Sequence, residues 1–131
     1  MKPITLKMKK KNKQLTSNVG LYYACYGLSK NGWNVMPTAR NAKGVDIVIY
    51  NQDATDTRTI QVKSLSKRGT VNFKNLLADY VIIITKVYKN PEIFIFNKQE
   101  ITRRNSNNIQ YSDYKDFENN WKVLLKKQPR Y

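Results

Sequence analysis

The chain has 131 residues, 40% of them hydrophobic, which gives one domain able to bury roughly two-thirds of its unfolded-chain surface around one core. Its 24 Lys and Arg against 9 Asp and Glu leave a formal charge of +15, which repels itself in a compact state and favours a polyanionic partner, nucleic acid first among them. The absence of histidine excludes histidine-base nucleases, His-ligated zinc centres and Ser-His-Asp hydrolysis, so chemistry falls to carboxylate, lysine, tyrosine or a bound metal.

The single cysteine, Cys25, rules out an intrachain disulfide and fits a reducing, cytoplasmic setting. Between Ala24 and Leu28 it reads as a small core residue rather than a reactive thiol. No apolar run approaches the roughly 20 residues that span a bilayer, and the basic start is not followed by the apolar segment of a secretory leader. A membrane partner is therefore not expected.

Residues 1–15 are expected to form a flexible basic arm and residues 16–131 a single domain. Residues 2–13 carry six lysines and no acid, which reads either as a phosphate-contacting tail or as a solubilising terminus. Thr16, Ser17 and Asn18 supply N-cap side chains for a helix running to Lys30 and ending at Asn31-Gly32. Val19, Tyr22, Tyr23 and Tyr26 form one apolar stripe, and Leu21, Ala24, Cys25 and Leu28 a second. Such a helix is expected to pack on more than one side, with its tyrosines in the core rather than stacked on bases. The string G-L-Y-Y-A-C-Y-G invites comparison with GIY-YIG nucleases, but that motif puts its halves on separate strands and here both fall in one helical pattern.

Residues 33–36 read as the first strand, closed by Pro37, and the loop at 38–44 carries Arg40 and Lys43. A ribbon follows, with β-branched and aromatic runs at 45–50 and 58–64 joined by a polar turn at 51–57. Asp53 and Asp56 in that turn are expected to bond local backbone rather than a metal. Beyond the ribbon, Lys67 and Arg68 lie in a basic loop without a phosphate-cradling glycine motif, so nucleotide hydrolysis has no support. A short helix at 72–78 is expected to cross over to residues 80–85, an apolar run of the buried parallel type. Residues 92–96 form another strand, and 98–110 a helical turn with an Asn-rich loop. A last helix from about Ser112 to Lys126 and Lys127 would bury Tyr114, Phe117, Trp121 and Leu124.

The ribbon is where chemistry concentrates. Alternation puts Gln61 and Lys63 on one face and Ile60 and Val62 on the other, and Asp46, near the start of the first strand, can sit opposite the end of the second. A carboxylate and an amide oxygen can hold Mg²⁺ that keeps several waters, and a neighbouring lysine can orient or deprotonate a water attacking a phosphodiester. Arg40, Lys43, Lys67 and Arg68 would then hold the nucleic-acid backbone.

At these residues a resemblance becomes specific. G-x-D at 44–46 followed by Q-x-K at 61–63 resembles the signature of the PD-(D/E)xK nuclease superfamily, in the variant with Gln at the first position of the second half. The strings N-V-G-L-Y-Y-A at 18–24, L-S-K-N-G-W-N-V at 28–35 and P-E-I-F-I-F at 91–96 resemble small restriction-endonuclease-like domains in similar order, over about residues 16–121. The resemblance implies an α/β fold with a restriction-endonuclease-like αβββαβ core, a mixed sheet flanked by helices. It also implies a Mg²⁺- or Mn²⁺-dependent DNA endonuclease in which Asp46 and Gln61 bind metal and Lys63 activates water. Where such domains commonly carry Gly-Glu on the first helix this chain has Gly20-Leu21, which leaves one carboxylate and a metal held weakly without substrate. The alternative is a catalytically degenerate nuclease-fold protein that binds DNA or serves as an accessory subunit of a restriction or repair system. A homodimer fits an endonuclease that cuts both strands of a duplex.

Overall fold

The computed structural model describes residues 12–39, 44–103 and 107–125. Helix α1 (Lys13–Lys30) is opened by Asn12, whose side chain accepts a hydrogen bond from the Leu15 amide at 2.8 Å. The start expected at residues 16–18 is thus a turn too late, and residues 13–15, assigned to the arm, are helical. Thr16 lies buried inside the helix, where its hydroxyl and that of Tyr88 share a hydrogen bond of 2.9 Å. The end falls where expected, at Asn31 and then Gly32 with φ +92°.

Five strands follow, β1 (Asn34–Pro37), β2 (Ile47–Tyr50), β3 (Thr57–Ser64), β4 (Tyr80–Thr85) and β5 (Glu92–Asn97), side by side in that order. Only β3 and β4 are parallel; the other neighbours are antiparallel. The result is an α/β fold with a mixed sheet flanked by helices, consistent with an αβββαβ-like core. All six residues of β4 are buried, because both faces of the sheet are covered. On one face α1 packs Ala24 and Leu28 against Ile47, Ile49, Ile60, Ile82 and Ile84. On the other, Val71, Phe73, Ile101, Ile109 and Tyr114 cover Val81, Ile83, Phe94 and Phe96.

Three expectations are corrected. First, α1 buries a single row, Thr16, Gly20, Ala24 and Leu28, at i, i+4 spacing. Tyr22 and Tyr26 point outward, 67% and 61% exposed, while Tyr23 packs at the core margin. Small residues win the inner face because the helix lies so close to β3 that a Cβ on Gly20 would stand 1.8 Å from Ser64 Oγ.

Second, no helix forms at 72–78. Residues 65–79 run irregularly across the second face, with Asn75 at φ 55°. Val71 and Phe73, two apart, are both buried, and Val71 pairs with Ile109 in an isolated bridge, which requires an extended backbone there.

Third, the last helix is broken. After α2 (Lys98–Thr102), α3 (Tyr111–Tyr114) passes into a 3₁₀ turn at Lys115–Phe117, and a second such turn spans Trp121–Leu124. Between them the chain leaves the helical path to cover the outer edge of β5. Glu118 bridges Phe94, the Asn119 amide donates to Ile93 O at 2.8 Å, and Asn120 Nδ2 donates to Ile95 O at 3.0 Å. Tyr114 and Leu124 are fully buried as expected, Phe117 and Trp121 partly so, and Lys126 and Lys127 lie outside the described residues. No helix among the described residues is long and apolar enough to cross a membrane.

Candidate functional site

The site is built where β2 starts. Gly44 adopts φ +70° with Leu77 so close that a Cβ would meet it at 3.3 Å, so the glycine allows both the turn and the approach. Two residues on, Asp46 straddles Gln61. Its amide donates to Ile60 O at 2.9 Å, and its carboxylate Oδ2 accepts from the Val62 amide at 2.8 Å. The carboxylate thus takes the acceptor position that a longer β2 would have filled with a carbonyl. Thr38 fixes the same segment from β1, its amide donating to Asp46 O at 2.9 Å and its hydroxyl to Val45 O at 2.6 Å.

Asp46 also lines a cleft of about 500 Å³ between α1 and the sheet. Gln14, Ser17, Asn18 and Leu21 form its helical wall, with Thr38, Ala39 and Val62 opposite. Leu21 and Asp46 therefore line the same cleft. The polar residues of that wall were not singled out from the sequence. Their spacing at 14, 17, 18 and 21 is one helix face, and that periodicity is the signal that would have found them.

Gln61 and Lys63 alternate with Val62, which packs on the α1 side, so their side chains belong to the other face of β3. Gln61 Oε1 is buried and has no hydrogen-bond partner among the described residues. The Lys63 ammonium lies 5.8 Å from the centre of the Phe73 ring. The structure thus joins Asp46 to the strand between these two residues, while neither lines the cleft that Asp46 faces. Among the described residues no three Asp, Glu or Cys side chains gather as a metal-holding group. One carboxylate and one amide oxygen left without a hydrogen bond are donors of the kind a hard cation takes, but Gln61 and Lys63 do not line the cleft that Asp46 faces, so the metal pair expected of Asp46 and Gln61 and the water-activating role expected of Lys63 are not brought together there.

Of the four cations expected to hold a nucleic-acid backbone, Arg40 and Lys43 lie outside the described residues, and Lys67 is exposed. Arg68 is already engaged. Its Nε donates to Glu92 Oε1 at 2.9 Å and its Nη2 to Glu92 Oε2, and its guanidinium sits 4.6 Å from the Tyr111 ring centre. Asp53 accepts from the Thr55 hydroxyl at 2.8 Å and Asp56 pairs with Arg58, so both serve the turn. Cys25 packs at the margin of the α1-side core, and burial pushes its thiol pKa up, away from the reactive thiolate.

The Arg68 pair gives an acid-stability prediction. The hydrogen bonds from Arg68 hold the Glu92 carboxyl at about 2 against an ordinary 4.5; burial opposes this and the Thr85 hydroxyl adds to it. A depressed carboxylate pKa means the stabilisation is complete above about pH 4.5 and fades as pH falls towards 2. Melting temperature measured across that window should fall more steeply for the wild type than for Glu92→Gln. Parallel curves would show that the pair contributes nothing to acid stability.

Comparison with protein-family models, with curated proteins and with solved structures returned no match.

Proposed function

We propose that this chain is a divalent-metal-dependent DNA endonuclease of PD-(D/E)xK type, working at the edge of the β2–β3 ribbon. The observation that carries the reading is the Asp46 carboxylate bonded to the Val62 amide, which couples the G-x-D turn to the Q-x-K strand at one point. The charge of +15 supports a polyanionic substrate and gives binding that falls steeply with salt. Asp46 would hold the metal, which when bound supplies Lewis-acid polarisation of a phosphate oxygen. The chain's own contribution is then to present the Asp46 carboxylate at the cleft and to neutralise neighbouring phosphates through Lys67 and the basic loop at 38–44, while Lys63, on the other face of β3, takes no part at the metal.

A second reading is favoured by Leu21, which lines the same cleft as Asp46. With one carboxylate, the domain would bind DNA without cutting it, as an accessory to a restriction or repair system. One assay separates the two. Supercoiled, linear, branched and single-stranded DNA are incubated with Mg²⁺ or Mn²⁺. The nuclease reading expects cleavage that Asp46→Ala reduces by a factor of about 10² or more. If wild type and Asp46→Ala give the same result on every substrate, cleavage is not performed by this site. The binding reading expects affinity indifferent to Asp46→Ala and to chelators, and metal-dependent cleavage eliminates it.

A further inference from the structure

We infer that the outward face of α1 is a stacking platform for an unpaired DNA strand, with Tyr22 and Tyr26 each receiving the face of one base. The inference rests on the DNA reading above and adds the form of DNA to it. Tyr22 and Tyr26 are among the most exposed large side chains of the described residues, at 67% and 61%. They stand one helical turn apart on the same face, separated by about 6 Å along the axis. That exceeds the roughly 3.4 Å between stacked bases, so a strand lying along the helix must unstack a pair of neighbouring bases and can lay one on each ring.

Charge identifies the occupant. Lys30, one more turn on, holds its ammonium over the Tyr26 ring, 5.2 Å from the ring centre, so a cation sits on the platform itself, where a strand's phosphate can draw it off the ring as a base moves on. The 18 residues of α1 contain no Asp or Glu, and Lys13 opens the helix directly after a segment in which residues 2–11 hold five lysines and no acid. An apolar protein partner would gain nothing from that charge, whereas a strand presenting phosphates alongside free base faces matches both features. A duplex hides its base faces in the stack and meets only the cations. The platform therefore discriminates between unpaired and paired DNA.

The test measures binding of labelled oligothymidine and of a duplex of equal length, by fluorescence anisotropy in EDTA so that nothing is cut. Tyr22→Ala with Tyr26→Ala should weaken oligothymidine binding by about tenfold or more, since stacking on an aromatic side chain contributes about 1–3 kcal/mol per base. Duplex affinity and the salt dependence of both should stay as in the wild type, and the paired Tyr→Phe changes should retain single-strand binding. Unchanged melting of the double alanine variant, expected for outward-facing side chains, shows that the fold is intact. The inference is overturned if the alanine variant binds oligothymidine like the wild type or loses both forms of DNA equally. It is also overturned if the tyrosines prove to mediate self-association instead. Equal binding by the variant, in a protein that still binds or cleaves DNA, removes the platform alone. Wild-type protein that binds neither form of DNA removes the nuclease reading with it.

Discussion

Arg58→Ala should cost about 2–5 kcal/mol of folding stability, because truncating a buried side chain of that size opens a cavity and leaves several acceptors without their donor. Arg58 is 2% exposed, in the strand that also carries Gln61 and Lys63. Its Nε and Nη2 donate to the Asp56 carboxylate at 3.1 and 2.8 Å, and Nη1 donates to the Tyr80 hydroxyl at 2.9 Å and to Leu124 O at 3.0 Å. Its guanidinium also packs 5.1 Å from the Trp33 ring centre and 5.4 Å from that of Tyr80. One side chain thus ties the turn, β3, β4 and the C-terminal 3₁₀ turn together. Truncation leaves Tyr80, Leu124 and Asp56 short of a donor and opens a cavity besides. Arg58→Lys should recover little, because a single ammonium cannot reproduce the planar fork. Urea unfolding of the three proteins measures this, and a loss below about 1 kcal/mol for the alanine variant would show that the network contributes far less than its burial implies.

Gly20→Ala is expected to destabilise the protein although alanine is the better helix former. Propensity alone would favour alanine by about 1 kcal/mol. Against that, the new methyl would stand 1.8 Å from Ser64 Oγ and 2.5 Å from Ser64 Cβ, so either α1 or β3 must move, at a cost of about 1–3 kcal/mol or more. Ser64→Gly in the same chain removes both clashing atoms and should restore most of the loss, whereas Ser64→Ala leaves the Cβ in place and should not. Thermal melting of the four proteins reads the coupling, and additive effects would mean that the close approach is not what the glycine serves. Because Leu21 and Asn18 line the same cleft as Asp46, a displaced α1 should also weaken the cleavage proposed for this site in the single variant.

The strands were legible in the sequence because their signals are local. β-branched runs at 45–50 and 58–64 with a polar turn between them give the antiparallel pair, and the unbroken apolar run at 80–85 gives a strand buried on both faces and parallel to β3. The meeting of Asp46 with the end of β3 follows from the same pairing. What periodicity could not supply was the distance between elements. Nothing in Gly20 announces that Ser64 will lie against it, so the bulkier tyrosines looked like the core stripe, and Tyr22 and Tyr26 proved to face solvent. The crossover and the C-terminal segment failed for a related reason. Val71 bonds to Ile109 and Glu118 to Phe94, contacts remote in sequence that override helical tendencies at 72–78 and 112–125. The polar cleft wall of α1 was visible as a helix face, but its meaning depended on where Asp46 came to rest.

The two flanks of the sheet limit how molecules of this protein can join. Beyond β5 the main chain of residues 118–120 already occupies the rim, and β1 on the opposite side is four residues long and finishes in Pro37, which has no amide hydrogen to offer. A neighbour's strand would find little backbone to zip onto at either flank. Fibril-like stacking of native molecules is disfavoured for that reason, and a twofold assembly has to be made through side chains rather than by extending the hydrogen-bonded ladder.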